Sequence, residues 1–151
     1  QEFEKALHRL SLNLAKQIVV DGEGAKKFIT INVIGAKSNV MAKNIAFSIA
    51  NSPLFKTAIA GEDPNWGRIV MAIGKTGENI IINKIKVKIG DHLVVEKNKQ
   101  AENYNEQDIK EYMKWDSINI EVDLGIGNNA FTVYTCDFTH DYIDINADYR
   151  N

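Results

Sequence analysis

The chain has 151 residues, 44% hydrophobic and 25% charged, which suits one compact domain or two small ones sharing a core and excludes disordered or fibrous classes. Eighteen Lys and Arg against twenty Asp and Glu leave a net charge of -2, which argues against a nucleic-acid binder relying on bulk charge. No apolar run approaches the roughly 20 residues of a membrane span, and one cysteine, Cys136, cannot close an internal disulfide, which fits a reducing, cytoplasmic setting.

The opening Gln1-Glu2-Phe3 carries neither Met nor a signal-peptide pattern and falls inside a predicted helix, so a cut or processed product is expected. Phe3, Leu7, Leu10, Leu14 and Ile18 recur at helical spacing, with Glu4, Lys5, Arg9 and Lys16 on other faces. Asp21-Gly22-Glu23-Gly24 should end that helix. Residues 26–34 read as a strand, because Ile29, Ile31 and Val33 alternate with Thr30 and Asn32, and Gly35 closes it. Ser38 or Asn39 can cap a second helix with Met41, Ala42, Ile45, Ala46, Ile49 and Ala50 on one side. Asn51-Ser52-Pro53 stops it, and Leu54 to Ile59 is expected to be extended. Asp63 as cap and Pro64 at the first helical position predict a short helix carrying Trp66, Ile69, Val70 and Ile73, ended at Gly74.

After Gly77 the period falls to two. Ile85, Val87 and Ile89 alternate with lysines in a half-exposed strand, and Gly90-Asp91 turns it toward Leu93-Val94-Val95. Glu96 to Asn105 reads as a loop into a short helix with Ile109, Tyr112 and Met113. Ile118, Ile120, Val122 and Leu124 predict another strand, with Phe131 to Cys136 returning as its hairpin partner across a glycine/asparagine turn. The predicted fold is α+β, with helices packed on a mixed or antiparallel sheet, a helix-rich first half (1–77) and a strand-rich second half (78–151).

Candidate chemistry is sparse. Gly74-Lys75-Thr76 lacks the earlier glycine of a phosphate loop and follows a helix, so it reads as a helix-ending turn. Cys136 and His140 have no third group fixed by spacing, and a buried structural thiol is the reading. Asp137, Asp141, Asp144 and Asp148 lack Ca²⁺-loop spacing and are expected to be turn-forming and solvated. His8, His92 and His140 are scattered, so no metal is expected. Two glycine-bounded polar loops remain. In Asp21-Gly22-Glu23-Gly24 a solvated helix end and a ligand loop presenting Glu23 to a cation stay equally open. Gly61 to Arg68 favours a capped helix start over a carboxylate site at a helix N-terminus.

Taken in order, Ile18 to Ala25, Ser52 to Ala58, Gly61 to Arg68, Cys136-Asp137 and Ile145 to Tyr149 resemble the bifunctional arginine-biosynthesis acetyltransferases, the glutamate N-acetyltransferase/ornithine acetyltransferase family. The resemblance implies a precursor that cleaves itself before a threonine. That threonine then heads the β chain and carries acetyl from N2-acetyl-L-ornithine to L-glutamate by a ping-pong route. It implies no cofactor, although some members take acetyl-CoA as a donor substrate. The implied partners are the α chain and the rest of the β chain, in assemblies of two α and two β chains, with no nucleic acid and no membrane. Thr30, Thr57, Thr76, Thr132, Thr135 and Thr139 are all internal, so the chain is expected to be the distal part of a β chain, inactive alone and lacking the catalytic residue. Glu23, Asn146 and Asn151 match the family's substrate contacts, Asn151 standing where threonine or serine is usual, and Lys26 replaces the usual threonine beside the acidic loop. The alternative is a non-catalytic small-molecule binding or interaction module.

Overall fold

A computed structural model describes residues 1–148. Helix α1 (Glu2–Val20) leads into strand β1 (Phe28–Ala36), followed by helices α2 (Asn39–Ala50), α3 (Pro53–Ala60) and α4 (Trp66–Gly74). A single 3-10 turn at Ile82–Lys84 precedes β2 (Lys86–Ile89), β3 (His92–Glu96) and β4 (Lys99–Gln100). Then come α5 (Glu106–Met113), β5 (Ser117–Asp123), β6 (Asn129–Cys136) and α6 (His140–Ala147). The strands form one sheet in the order β4-β3-β2-β5-β1-β6. Only β1 and β5 run parallel, so the sheet is mixed and the fold is α+β. No helix among the described residues is long and apolar enough to cross a membrane.

Period-two alternation gives the sheet two unlike faces. The register aligns Val133, Ile31, Ile120 and Ile89 in one row across β6, β1, β5 and β2, all buried. The neighbouring row is Thr132, Asn32, Glu121 and Lys88, on the opposite face. It is tied laterally, Thr132 Oγ1 to Asn32 Oδ1 at 3.1 Å and Lys88 Nζ to Glu121 Oε1 at 3.0 Å. The apolar rows meet α2, α3 and α4, whose Ile45, Ile49, Phe55, Ile69 and Ile73 are almost wholly buried.

Helix α2 starts as expected, with Ser38 accepting from the Met41 amide at 3.1 Å, and buries all six of its predicted inward residues. Helix α1 has the expected period but buries none of its side chains. Its stripe runs from 51% exposed at Leu7 and Leu14 to 76% at Phe3.

Four expectations are corrected. Leu54 to Ile59 is helical, not extended: Ser52 caps the Phe55 amide and Pro53 occupies the first turn, where a missing N–H costs no bond. The same serine-proline pair that stops α2 therefore starts α3. Conversely, Asp63-Pro64 forms a turn, and α4 begins only after Asn65. Strand β1 does not close at Gly35 but continues to Ala36 through an irregularity in its pairing with β6. Strand β6 is not the hairpin partner of β5. Both edges of β5 are filled, by β1 and β2, so the chain passes the end of β1 and pairs antiparallel on its free side. The crossing is held by Leu124 N to Ile34 O at 3.0 Å and Ile126 N to Gly35 O at 2.9 Å.

Candidate functional site

The antiparallel pairing of β1 with β6 sets Phe28 beside Cys136, so the loop entering β1 and the segment leaving β6 emerge together. This brings residues more than 100 positions apart into contact. Asp137 Oδ1 accepts from the Lys26 and Lys27 amides, at 2.8 and 3.0 Å, and the Asp137 amide donates to Lys27 O at 3.2 Å. Asp137 is only 3% exposed, and its Oδ2 is buried with no hydrogen-bond partner among the described residues. It is therefore not the solvated carboxylate expected of the acidic run. Asp141 differs again: it pairs with Lys26 Nζ at 2.8 Å, while Asp144 and Asp148 are exposed.

The next lysine runs inward. Lys27, 8% exposed, places Nζ 2.8 Å from Met113 O and 3.3 Å from Trp115 O, and 3.2 Å from Glu62 Oε1. A cation at the end of α5 satisfies carbonyls that have no intrahelical donor and complements the helix dipole. Sequence reasoning misses Lys27 and meets Asp137 only as part of an acidic run and a family motif, yet both carry a signal. Two positions before Ile29 lies Lys27, and four after Val133 lies Asp137, so each extends the inward phase of its strand.

The two described substrate-contact candidates converge. Asn146 Nδ2 donates to Glu23 Oε2 at 3.1 Å and to Tyr142 O at 2.9 Å. Both residues are exposed, so the pair faces solvent. Asn151 lies outside the described residues. Gly24, between Glu23 and the lysines, has φ +70°, and a β-carbon there would stand 2.5 Å from the Tyr142 amide nitrogen. Only glycine lets α6 approach this closely. Thr139 Oγ1 completes the contact by donating to Gly24 O at 2.6 Å. Alongside lies a cleft of about 500 Å³, lined by Lys26, Thr57, Gly61, Phe138, Thr139 and Asp141.

Electrostatics follow from this geometry. The hydrogen bond and charge of Lys26 hold the Asp141 carboxyl below its ordinary range, and Asp141 raises the Lys26 ammonium in the same two ways.

The remaining motifs behave structurally. Arg68 donates to Leu54 O at 2.6 Å and Thr57 Oγ1 at 3.1 Å, binding α4 to α3 instead of facing an anion. Thr76 Oγ1 donates to Ile73 O at 2.7 Å and accepts from the Glu78 amide at 3.2 Å, a helix-ending turn. Cys136 is half-buried, not the fully buried thiol expected, with its sulfur 3.9 Å from Lys56 Nζ. No group of three His, Cys, Asp or Glu side chains among the described residues could hold a metal ion.

Comparison with known proteins gives the family and the fold. Residues 1–151 match the ArgJ family model. The chain is 55% identical to the arginine biosynthesis bifunctional protein ArgJ of Ruegeria pomeroyi, over 99% of this chain and 37% of that protein. To the protein of the same name from Brucella suis it is 51% identical, over 99% and 36%. The crystal structure of ArgJ from Bacillus halodurans superposes with a TM-score of 0.93 at 41% identity, covering 98% of this chain and 70% of that one. The chain thus spans little more than a third of the length of the curated relatives it matches. By sequence along its whole length and by fold, the chain belongs to the ArgJ family.

Proposed function

We propose that this chain is the C-terminal part of the β chain of an acetyltransferase of arginine biosynthesis, which moves acetyl from N2-acetyl-L-ornithine to L-glutamate. In this reading the nucleophile is an N-terminal threonine outside the six internal threonines of this chain, freed by self-cleavage of a cytoplasmic precursor. Its own amine serves as the local base, and the acetyl group rests on its hydroxyl between the two half-reactions. Donors of an oxyanion hole on the α chain stabilise the tetrahedral intermediate. The reaction requires no cofactor; acetyl-CoA enters only as an alternative acetyl donor. The α chain and the rest of the β chain are the partners, in an assembly of two α and two β chains, and the exposed α1 stripe is the face offered to them. Alone, this chain does not turn over substrate.

The contribution of this chain is substrate binding, and the observation that carries it is the Glu23–Asn146 contact across 123 positions. A solvent-facing carboxylate holds the ammonium of an amino-acid substrate, and the amide beside it, whose two N–H donors go to Glu23 and Tyr142 O, offers its Oδ1 to accept from an amine. The Gly24 approach fixes one to the other. Asn151 is assigned to the same binding surface by the family pattern.

Glu23→Gln in the intact enzyme tests the reading. Loss of one charge-assisted hydrogen bond, about 1.5–3 kcal/mol, lowers kcat/KM for the two substrates by about tenfold to a hundredfold. Precursor cleavage, which precedes substrate arrival, continues. Unchanged kinetics with both substrates would remove Glu23 from the site.

A further inference from the structure

Helix α6 carries Asn146 yet buries none of its side chains. What seats it is the loop before β1. Thr139 Oγ1 holds Gly24 O at the start of the helix, and Lys26 Nζ holds Asp141 Oδ2 two residues later. The close approach of Gly24 to the Tyr142 amide lies between these bonds and Asn146. The Phe138 and Tyr142 rings, with centroids 4.5 Å apart, brace the turn from β6.

Thr139 alone would leave a swivel. Successive helical residues are about 100° apart, so a small rotation of α6 carries Asn146 away from Glu23. A second anchor on a different azimuth stops that rotation, and Asp141 is its polar part. We propose that Lys26 and Asp141 are a positioning pair: their ion pair fixes the rotation of α6 against the acidic loop and so keeps the Asn146 amide within reach of Glu23. The side chains of the pair are 63% and 49% exposed. An ion pair this open adds too little to decide whether the domain folds, but enough to hold the rotation of one helix that buries no side chain. The inference rests on the reading of Glu23 and Asn146 as substrate contacts.

The test uses the intact enzyme, with Lys26→Met and Asp141→Asn made separately, and reads two quantities. Amide exchange over residues 140–147 rises about twofold to fivefold in each variant, while exchange in the central strands is unchanged. KM for the amino-acid substrates rises by a similar factor and by more than kcat falls. The double exchange Lys26→Asp with Asp141→Lys restores both readouts, which a merely structural loss would not allow. Unchanged exchange over 140–147 in both single variants overturns the proposal. So does a faster-exchanging α6 with unaltered KM in an enzyme whose Glu23→Gln variant is impaired, and the substrate reading then stands. If Glu23→Gln is also unimpaired, the substrate reading has failed, and the positioning role falls with it.

Discussion

Helices α1 and α2 carry nearly the same apolar period and meet opposite surroundings. In α2, Met41, Ala42, Ile45, Ala46, Ile49 and Ala50 are all buried against β1 and β6. In α1, Phe3, Leu7, Leu10, Leu14 and Ile18 are half-exposed or more. The three alanines of α2 let its backbone approach the sheet beside the large Met41, Ile45 and Ile49, whereas the α1 stripe has no such surface against it among the described residues. A period states which side chains share a face; it does not state what that face touches. The α1 stripe is the larger unspent source of burial energy in the chain, since each large apolar side chain moved from water is worth about 1.5–3 kcal/mol.

Truncating one residue on each helix would break or sharpen this contrast. Ile45→Ala removes a fully buried side chain and is expected to lower the stability of the chain by about 2–5 kcal/mol, read as a shift of the urea midpoint at constant slope. Leu10→Ala, at an exposed position, should stay within about 0.5 kcal/mol. A comparable loss at both positions, growing with protein concentration, would mean that the stripe is covered in solution by a second copy.

Adjacent Lys26 and Lys27 repeat the contrast on the scale of one residue. Lys27→Met removes hydrogen bonds to Met113 O and Trp115 O and leaves Glu62 unpaired, a loss of about 2 kcal/mol measured by the same denaturation. Lys26, mostly in water, should barely move the midpoint when changed.

The smallest effect is a pH dependence confined to α6. Asp141 is held below its ordinary carboxylate range, so its contribution is present above that range and is lost as pH falls through the lowered value. Lys26 is raised, so its contribution is present below the ordinary lysine range and is lost as pH rises through the raised value. Exchange protection of residues 140–147, corrected for intrinsic rates, should be level around neutrality and fall at both extremes. Protection that keeps changing around neutrality would rule out the Lys26–Asp141 pair as its source.

Much of the fold is legible in the sequence, and the reasons are local. Alternation at Ile29, Ile31 and Val33 and at Ile118, Ile120 and Val122 marks two strands that pair side by side in matching phase. Ser38 or Asn39 reads as the cap, and Ser38 serves as one. The Asp-Gly-Glu-Gly loop is visible from its glycines, whereas Glu23 and Asn146 stand out as a pair only through family resemblance. Ser52-Pro53 misleads because one dipeptide is compatible with ending a helix and with beginning the next. The partner of β6 is not legible because a turn composition does not say whether the neighbouring edge is already taken.

Periodicity, capping residues and turn composition are encoded within a few positions, so the sequence by itself determined most of the helices, most strand phases and the α+β class. Which strand edge is free and whether residues 23 and 146 can touch depend on packing across more than 100 positions. Only the tertiary structure decided these, by closing β6 onto β1 and leaving Asp137 and Gly24 to bind the two chain segments together.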